Sequence, residues 1–351
     1  MTSTRKREDF ASDNTAGICP ESLAALEASN QGAAAAYGED ELTAEVCDRV
    51  REIFETNCDV YFVFNGTAAN ALALAQVCRP FHSVICHKLA HLQTDECGAP
   101  EFFSGGSKLL LLDSDSGKIS LDQVAAVLAE QHGIHAHKPR AISITQTTEL
   151  GTVYSEEEIS AIGRFARENS LLLHMDGARF ANALSFLKCS AKDLTWKAGV
   201  DVLCFGGTKN GVGAGELVVF FKPELAQEFD YRLKQAGQLG SKMRFLAAQW
   251  QGLLTNDVWL RNAAHANEAA RTLADRIQHQ TGLRPLLPVE SNSVYFRLSD
   301  SFASDLSAAG WNFYRMIEPD VYRLMCSWAT TDGQIEQLVR QVSEIASQLR
   351  G

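Results

Sequence analysis

Two apolar, strand-like runs end in reactive polar residues, and this pair constrains the fold more than any other feature of the sequence. Leu171-Leu-Leu-His-Met175 leads into Asp176, and Asp201-Val-Leu-Cys-Phe205 leads into a glycine-rich loop that carries Lys209. Open α/β sheets bind their ligands at the carboxyl ends of the strands. We therefore expect the carboxylate and the amine to serve one site at such an edge.

The chemistry of these two residues is that of a pyridoxal phosphate site. A lysine held among glycines at the end of a buried strand has a poorly hydrated amine, which favours nucleophilic reactivity and Schiff-base formation. A carboxylate can pair with the protonated pyridine nitrogen of the same cofactor. A glycine-rich turn beside a lysine is also found as a plain surface turn, so the prediction depends on Asp176 and Lys209 together.

Strand-like and helical segments alternate along most of the chain. Apolar runs over 59–64, 83–86, 107–112 and 140–145 alternate with helical patterns over 68–78 and 121–130 and with a helix that opens at Ser155. This pattern predicts an α/β fold with a mostly parallel sheet covered by helices. Long amphipathic stretches from about Trp250 predict a smaller α+β domain. We expect an N-terminal arm over 1–14, a cofactor-binding domain over 15–250 and a small domain over 251–351.

Charge and composition exclude several partners. A net charge of −11 and a pI of about 5.3 argue against binding to nucleic acid or to an anionic membrane surface. No apolar run approaches the ~20 residues that span a bilayer, and residues 1–9 lack the apolar core of a signal peptide. Nine cysteines without C-x-x-C spacing fit reduced thiols better than disulfides or a zinc site. We expect a cytoplasmic protein with no metal.

One glycine-rich segment raises a different possibility. Gly211-Val-Gly-Ala-Gly215 superficially suggests a dinucleotide-binding loop. Such a loop must follow a strand and open a helix, whereas these glycines precede the strand-like run 216–221. A nicotinamide-dependent dehydrogenase is therefore disfavoured.

Five motifs, in this order, resemble those of the threonine aldolases, and the resemblance extends from about Phe10 to Trp328. They are Ser12-Asp-Asn-Thr15, Gly66-Thr67, His91 with Glu96-Cys-Gly98, His174-Met-Asp-Gly-Ala-Arg179, and Gly206-Gly-Thr-Lys209. The chain most resembles the low-specificity bacterial L-threonine aldolases. That resemblance implies pyridoxal 5'-phosphate as cofactor, the type I fold with a seven-stranded sheet, and a homo-oligomer, expected to be a tetramer of two catalytic dimers.

The resemblance also implies the reaction. Members cleave L-threonine, L-allo-threonine and phenylserine-like β-hydroxy-α-amino acids to glycine and an aldehyde. A β-eliminating lyase or an aminotransferase on the same scaffold remains the alternative. The physiological substrate and the erythro/threo preference stay open.

Individual residues receive roles from the same resemblance. Lys209 and Asp176 hold the cofactor, His91 stacks on its ring, and Arg179 reaches its phenolic oxygen or the substrate. Gly66 and Thr67 grip the phosphate, as expected for backbone N–H groups that open a helix after a strand. Arg244 is a further phosphate ligand, from its own or a neighbouring subunit.

The substrate carboxylate is assigned to Arg323 and Ser12, because an arginine fork matches a carboxylate. Arg315 lies near, but out of register with, a further arginine that the family commonly has, so its part is open. The base that removes the β-hydroxyl proton is His91, His135 or a bound water, and the sequence does not choose among them.

Overall fold

A seven-stranded sheet forms the centre of the larger part of the protein, whose computed structural model describes residues 8–130 and 133–348. Its strands, named with the short N-terminal strand as β1 (Glu8–Asp9), are β2 (Asp59–Val63), β3 (His82–His87), β4 (Lys108–Leu112), β5 (Lys138–Thr145), β6 (Leu172–Gly177), β7 (Val202–Phe205) and β8 (Glu216–Phe220). The order across the sheet is β2-β8-β7-β6-β5-β3-β4. Only β8 runs antiparallel to its neighbours. The predicted mostly parallel α/β fold is confirmed.

Helices cover this sheet and continue into the C-terminal part. They are α1 (Pro20–Ser29), α2 (Glu41–Phe54), α3 (Gly66–Val77), α4 (His91–Thr94), α5 (Ala99–Ser104), α6 (Leu121–Ala129), α7 (Glu156–Glu168), α8 (Phe180–Leu187), α9 (Phe229–Gln235), α10 (Arg244–Leu254), α11 (Val258–Thr281), α12 (Asp300–Ala308) and α13 (Asp332–Gln348). Ser155 and Glu158 form a capping box that starts α7. Within the described ranges, no helix is long and apolar enough to cross a membrane.

The C-terminal part is built on a smaller antiparallel sheet of β11 (Tyr314–Ile317), β12 (Val321–Met325) and β9 (Ser293–Arg297). Strand β1 pairs in parallel with β10 (Trp311–Asn312), and Phe10 packs into the core of this part. The N-terminal arm is therefore attached to the small sheet. Helix α11 is shared, because Trp259 lies in the large core and Leu273 in the small one.

The domain limits stay a prediction. Helix α10 runs across the predicted junction at residue 250, and α11 contributes to both cores. Residues 1–7 of the predicted arm and 349–351 of the predicted small domain lie outside the described residues.

Candidate active site

A cavity of about 260 Å³ opens at the carboxyl ends of the central strands. The predicted site residues that line it are Gly66, Thr67, His91, Asp176 and Lys209. Gly66 and Thr67 follow β2, His91 follows β3, Asp176 lies at the end of β6, and Lys209 follows β7. The parallel strands thus bring together residues that are up to 143 positions apart, from Gly66 to Lys209.

Asp176 is the buried anion of this cavity. It is 5% exposed, its Oδ1 accepts the Ala178 N–H at 3.0 Å, and its Oδ2 accepts Asn70 Nδ2 at 2.8 Å. Burial opposes ionisation, but the positive charges of Lys209 and His91 and these hydrogen bonds outweigh it, so the pKa of Asp176 is lowered. Asp176 is therefore held as a carboxylate that faces the cavity.

A chain of hydrogen bonds connects Asp176 with His91. Asn70 Nδ2 donates to Asp176 and also to Glu96 Oε1, at 2.8 Å each, and His91 Nδ1 lies 2.8 Å from the same Glu96 oxygen. The hydrogen bond to Glu96 raises the pKa of His91 against the effect of burial. Burial raises the pKa of Glu96, although His91 and Asn70 pull it back. The network fixes the orientation of the His91 ring.

The amino end of α3 provides an anion site at another wall of the cavity. Asn65 caps the helix by accepting the Ala68 N–H at 2.9 Å, and Gly66 and Thr67 are the first helical residues. Their backbone N–H groups lie among the first four, which have no partner within a helix. A side chain on Gly66 would meet nothing within 4 Å, so the approach is open. This geometry suits a phosphate group.

Lys209 sits in a short 3-10 turn, Thr208–Asn210, that packs tightly on the loop after β6. A methyl group on Gly206 would overlap the Ala178 carbonyl oxygen, so only glycine permits this approach. The buried carboxylate of Glu216 accepts the Gly207 N–H and holds the turn from the other side. The lysine amine is thereby fixed near Asp176.

Two arginines, Arg179 just after β6 and Arg323 on β12, are held by the N-terminal arm. Arg179 donates from Nε and Nη2 to the two oxygens of buried Asp13, at 2.7 and 2.9 Å. Arg323 Nη2 donates to the Ala11 carbonyl at 3.0 Å, while its buried Nε has no partner among the described residues. A buried guanidinium donor without a partner is costly. An incoming carboxylate would satisfy it. Ser12 is half-buried nearby, and its hydroxyl accepts the Asn14 N–H.

Three further residues named in the sequence analysis do not line the cavity. His135 is exposed in a short turn just before β5, at the amino end of that strand and away from the cavity edge. Arg244 begins α10, where its Nη2 donates to the Gly32 carbonyl at 3.3 Å. Arg315 is exposed and paired with Asp300 and Glu318.

Sequence reasoning missed three polar residues of the site: Asn70, Asp13 and Glu149. Asn70 is a buried amide in an otherwise apolar, alanine-rich helix, and that anomaly was visible in the sequence. Glu149 follows β5 just as Asp176 and Lys209 follow their strands, so the same strand-end argument would have found it. Asp13 gave no such signal, because its pairing with Arg179 depends on where the arm folds back.

Known proteins are similar to this chain in sequence and in fold. The sequence profile of the Beta-eliminating lyase family matches residues 9–300. A low specificity L-threonine aldolase of Pseudomonas aeruginosa is 52% identical over 339 residues, 97% of this chain and 98% of that protein. Another from a Pseudomonas species is 51% identical over 344 residues, 98% of this chain and 99% of that protein. The threonine aldolase of Leishmania major superposes with a TM-score of 0.91 at 28% identity, covering 96% of this chain and 99% of that one.

Fold and site together define a pyridoxal-phosphate-dependent lyase. The residues present fit the cofactor: an amine, an ionised carboxylate and an open helix terminus converge on one cavity. No cluster able to hold a metal ion occurs in the part of the chain that the structure describes. The chain belongs to the low-specificity L-threonine aldolases within the Beta-eliminating lyase family.

The network makes a prediction for His91. Replacing Glu96 with glutamine keeps an acceptor for His91 Nδ1 but removes the negative charge that raises the pKa of His91, so that pKa should fall. Titration of the histidine ring signals by NMR in the cofactor-free protein measures this change. His87 is the internal control, because it is bonded to Ser114 and not to Glu96. An unchanged or higher pKa of His91 would show that Glu96 does not supply the effect.

Proposed function

We propose that this site performs the aldol cleavage of L-threonine and L-allo-threonine to glycine and acetaldehyde. Phenylserine-like substrates, which would release an aromatic aldehyde, are included in the proposal. The observation that carries it is that ionised Asp176 and Lys209 line one cavity, while the N-terminal arm, whose Asn14 also lines it, holds Arg323 with a buried, unpaired Nε. The two Pseudomonas relatives are named for threonine cleavage, which supports the same reaction here.

Each residue has a task in this proposal. When bound, the cofactor supplies an electron sink for the pair left at Cα as the Cα–Cβ bond breaks. Lys209 would supply the amine that binds the cofactor aldehyde, and Asp176 would keep a proton on the ring nitrogen. The N–H groups of Gly66 and Thr67 would bind the phosphate, and the His91 ring would lie against the cofactor ring.

The substrate end is proposed to involve Arg323, Ser12 and Arg179. Arg323 has a free Nε donor, whereas Arg179 uses Nε and Nη2 on Asp13. Arg323 is therefore the main carboxylate ligand in this proposal, with the Ser12 hydroxyl as a second. Arg179 keeps Nη1 for the cofactor's phenolic oxygen or the substrate.

Assembly and location complete the proposal. The cationic side chains among the described residues that line the cavity are Lys209 and, when protonated, His91. A phosphate dianion calls for further positive charge, and Arg244 of a second copy would supply it. The proposal therefore includes a homo-oligomer, specifically a homotetramer of two catalytic dimers. All nine cysteines are free thiols, which supports a cytoplasmic location.

Incubation of the purified protein with L-threonine and pyridoxal phosphate tests the reaction. We expect glycine and acetaldehyde in equal amounts, and we expect borohydride to fix the cofactor to the chain. Lys209→Ala should lose both properties, because its side chain has no amine. Ammonia with 2-oxobutanoate as the products would instead indicate β-elimination and would overturn the proposal.

Arg323→Ala tests the carboxylate site. Loss of a bidentate contact from a partly dry site should cost roughly 2–4 kcal/mol, or about 30- to 1,000-fold in kcat/KM. The cofactor spectrum should remain that of the wild type. Arg315→Ala is the matched control, because its exposed ion pairs contribute little. If Arg323→Ala retains kcat/KM within about threefold, the carboxylate binds elsewhere.

Mixing two inactive variants tests the shared site. Lys209→Ala and Arg244→Ala should each be impaired alone. In a random mixture of the two variants, half of the dimers contain one copy of each, and one of the two sites in such a dimer has both native residues. About a quarter of all sites, and so about a quarter of the wild-type activity, should therefore be restored. Co-refolding, followed by light scattering and an aldehyde assay, measures this result. An active monomer, or mixtures that never recover activity, would contradict a site shared between copies.

A further inference from the structure

Glu149 is a glutamate of the site to which no role has been assigned. It lies in the loop between β5 and α7, and β5 is the strand between β3 and β6 in the sheet. Its loop therefore leaves the carboxyl edge between the segments that carry His91 and Asp176. Glu149 therefore borders the candidate site through its contact with His91.

The contacts of Glu149 leave one carboxylate oxygen available. Oε1 accepts the His91 backbone N–H at 3.3 Å. Among residues 8–130 and 133–348, Oε2 has no hydrogen-bond partner, and it is not among the fully buried polar atoms. The side chain is half-buried, so Oε2 remains accessible to a small molecule.

The backbone of Glu149 is fixed against the substrate end. Tyr295 of β9 donates its hydroxyl hydrogen to the Glu149 carbonyl at 2.6 Å. Tyr295 is also the direct cross-strand partner of Arg323 on β12. Glu149 is thus bonded to His91 through its carboxylate and, through its carbonyl and Tyr295, to the strand position opposite Arg323.

Several charged groups of the site affect the pKa of Glu149. Burial raises its pKa, and the carboxylate of Asp176 adds to the increase, whereas Lys209, Arg179 and His91 lower it. Tyr295 is the remaining titratable neighbour. The net result is a raised pKa, which makes the ionised carboxyl a stronger base than an exposed glutamate.

We propose that Glu149 is the base that removes the β-hydroxyl proton of the substrate during cleavage. This proposal rests on the proposed threonine aldolase function. Oε2 takes the hydroxyl proton, the O–H electron pair becomes the second bond of the aldehyde C=O, and the Cα–Cβ pair stays with Cα. One proton is then added at Cα, and Glu149 releases its proton to solvent. Atoms and charge balance as amino acid to glycine plus aldehyde.

A purely structural role is the competing explanation for Glu149. Its Oε1 could serve only to satisfy the first N–H of the short helix α4. A neutral glutamine would meet that need equally well, since its carbonyl oxygen also accepts. Glu149→Gln therefore separates the two roles, and Glu149→Asp tests whether a carboxylate alone restores function.

The experiment uses the holoenzyme with L-threonine. We expect Glu149→Gln to reduce kcat by on the order of 10²- to 10³-fold, with KM within about threefold and the cofactor spectrum retained. Glu149→Asp should recover part of this loss. The wild-type acid limb of the kcat profile, where protonation removes the base, should disappear in Glu149→Gln. Glycine bound to the variant should still exchange its α-proton in D₂O, because that step involves no hydroxyl.

The cofactor-free protein gives a readout independent of turnover. A raised folded pKa means that the stabilising contribution is present below the unfolded pKa and is lost as pH rises through the folded pKa. Glutamine does not titrate, so the stability of Glu149→Gln relative to wild type should increase with pH across that window. Chemical denaturation at several pH values measures it. Glu290→Gln is the matched control, because Glu290 also accepts a backbone N–H, from Val153, without belonging to the site.

Two outcomes would overturn the proposal. The first is cleavage by Glu149→Gln within about threefold of wild type. The second is an equal loss of cleavage and of glycine exchange, which would show a general structural defect. If the wild type itself forms no glycine from L-threonine, the proposed function fails instead, and the two failures are thus distinguished.

Discussion

The buried carboxylate of Asp176 is the interaction on which the site depends. An unpaired buried charge costs several kcal/mol, so it persists only where donors and positive charges surround it. Asn70, the Ala178 N–H, His91 and Lys209 provide that environment. Asn70 also donates a hydrogen bond to Glu96, and the same Glu96 oxygen is bonded to the His91 ring. One electrostatic requirement thereby orients residues from four separate segments of the chain.

The opposite side of the site depends on the N-terminal arm. Asp13 accepts from both Arg179 and the small-domain residue Asn292, at 3.0 Å for the latter, while the Ala11 carbonyl holds Arg323. The arm thus connects the two parts of the protein beside the substrate end. Arg323 also keeps one buried donor, Nε, without a partner among the described residues, which leaves it free for an anion.

The sequence predicted what depends on local pattern. Asp176 and Lys209 follow apolar strands, and parallel strands place such residues at one edge, so their proximity followed from the order of segments alone. Contacts between residues far apart in the chain could not be predicted from the sequence. The pairing of Asp13 with Arg179 depends on where the N-terminal arm folds back. The exposed position of His135 results from its place before β5, at the amino end of that strand. Arg244 and His135 do not line the cavity that Asp176 and Lys209 share.

The protonation state of the cofactor nitrogen tests the account most directly. If the network keeps Asp176 ionised, that nitrogen carries a proton at neutral pH. NMR of the holoenzyme loaded with pyridoxal phosphate labelled with ¹⁵N in the ring measures it. We expect a pyridinium signal in the wild type and its loss in Asp176→Asn. An unprotonated ring nitrogen in the wild-type protein would contradict the central role assigned to Asp176.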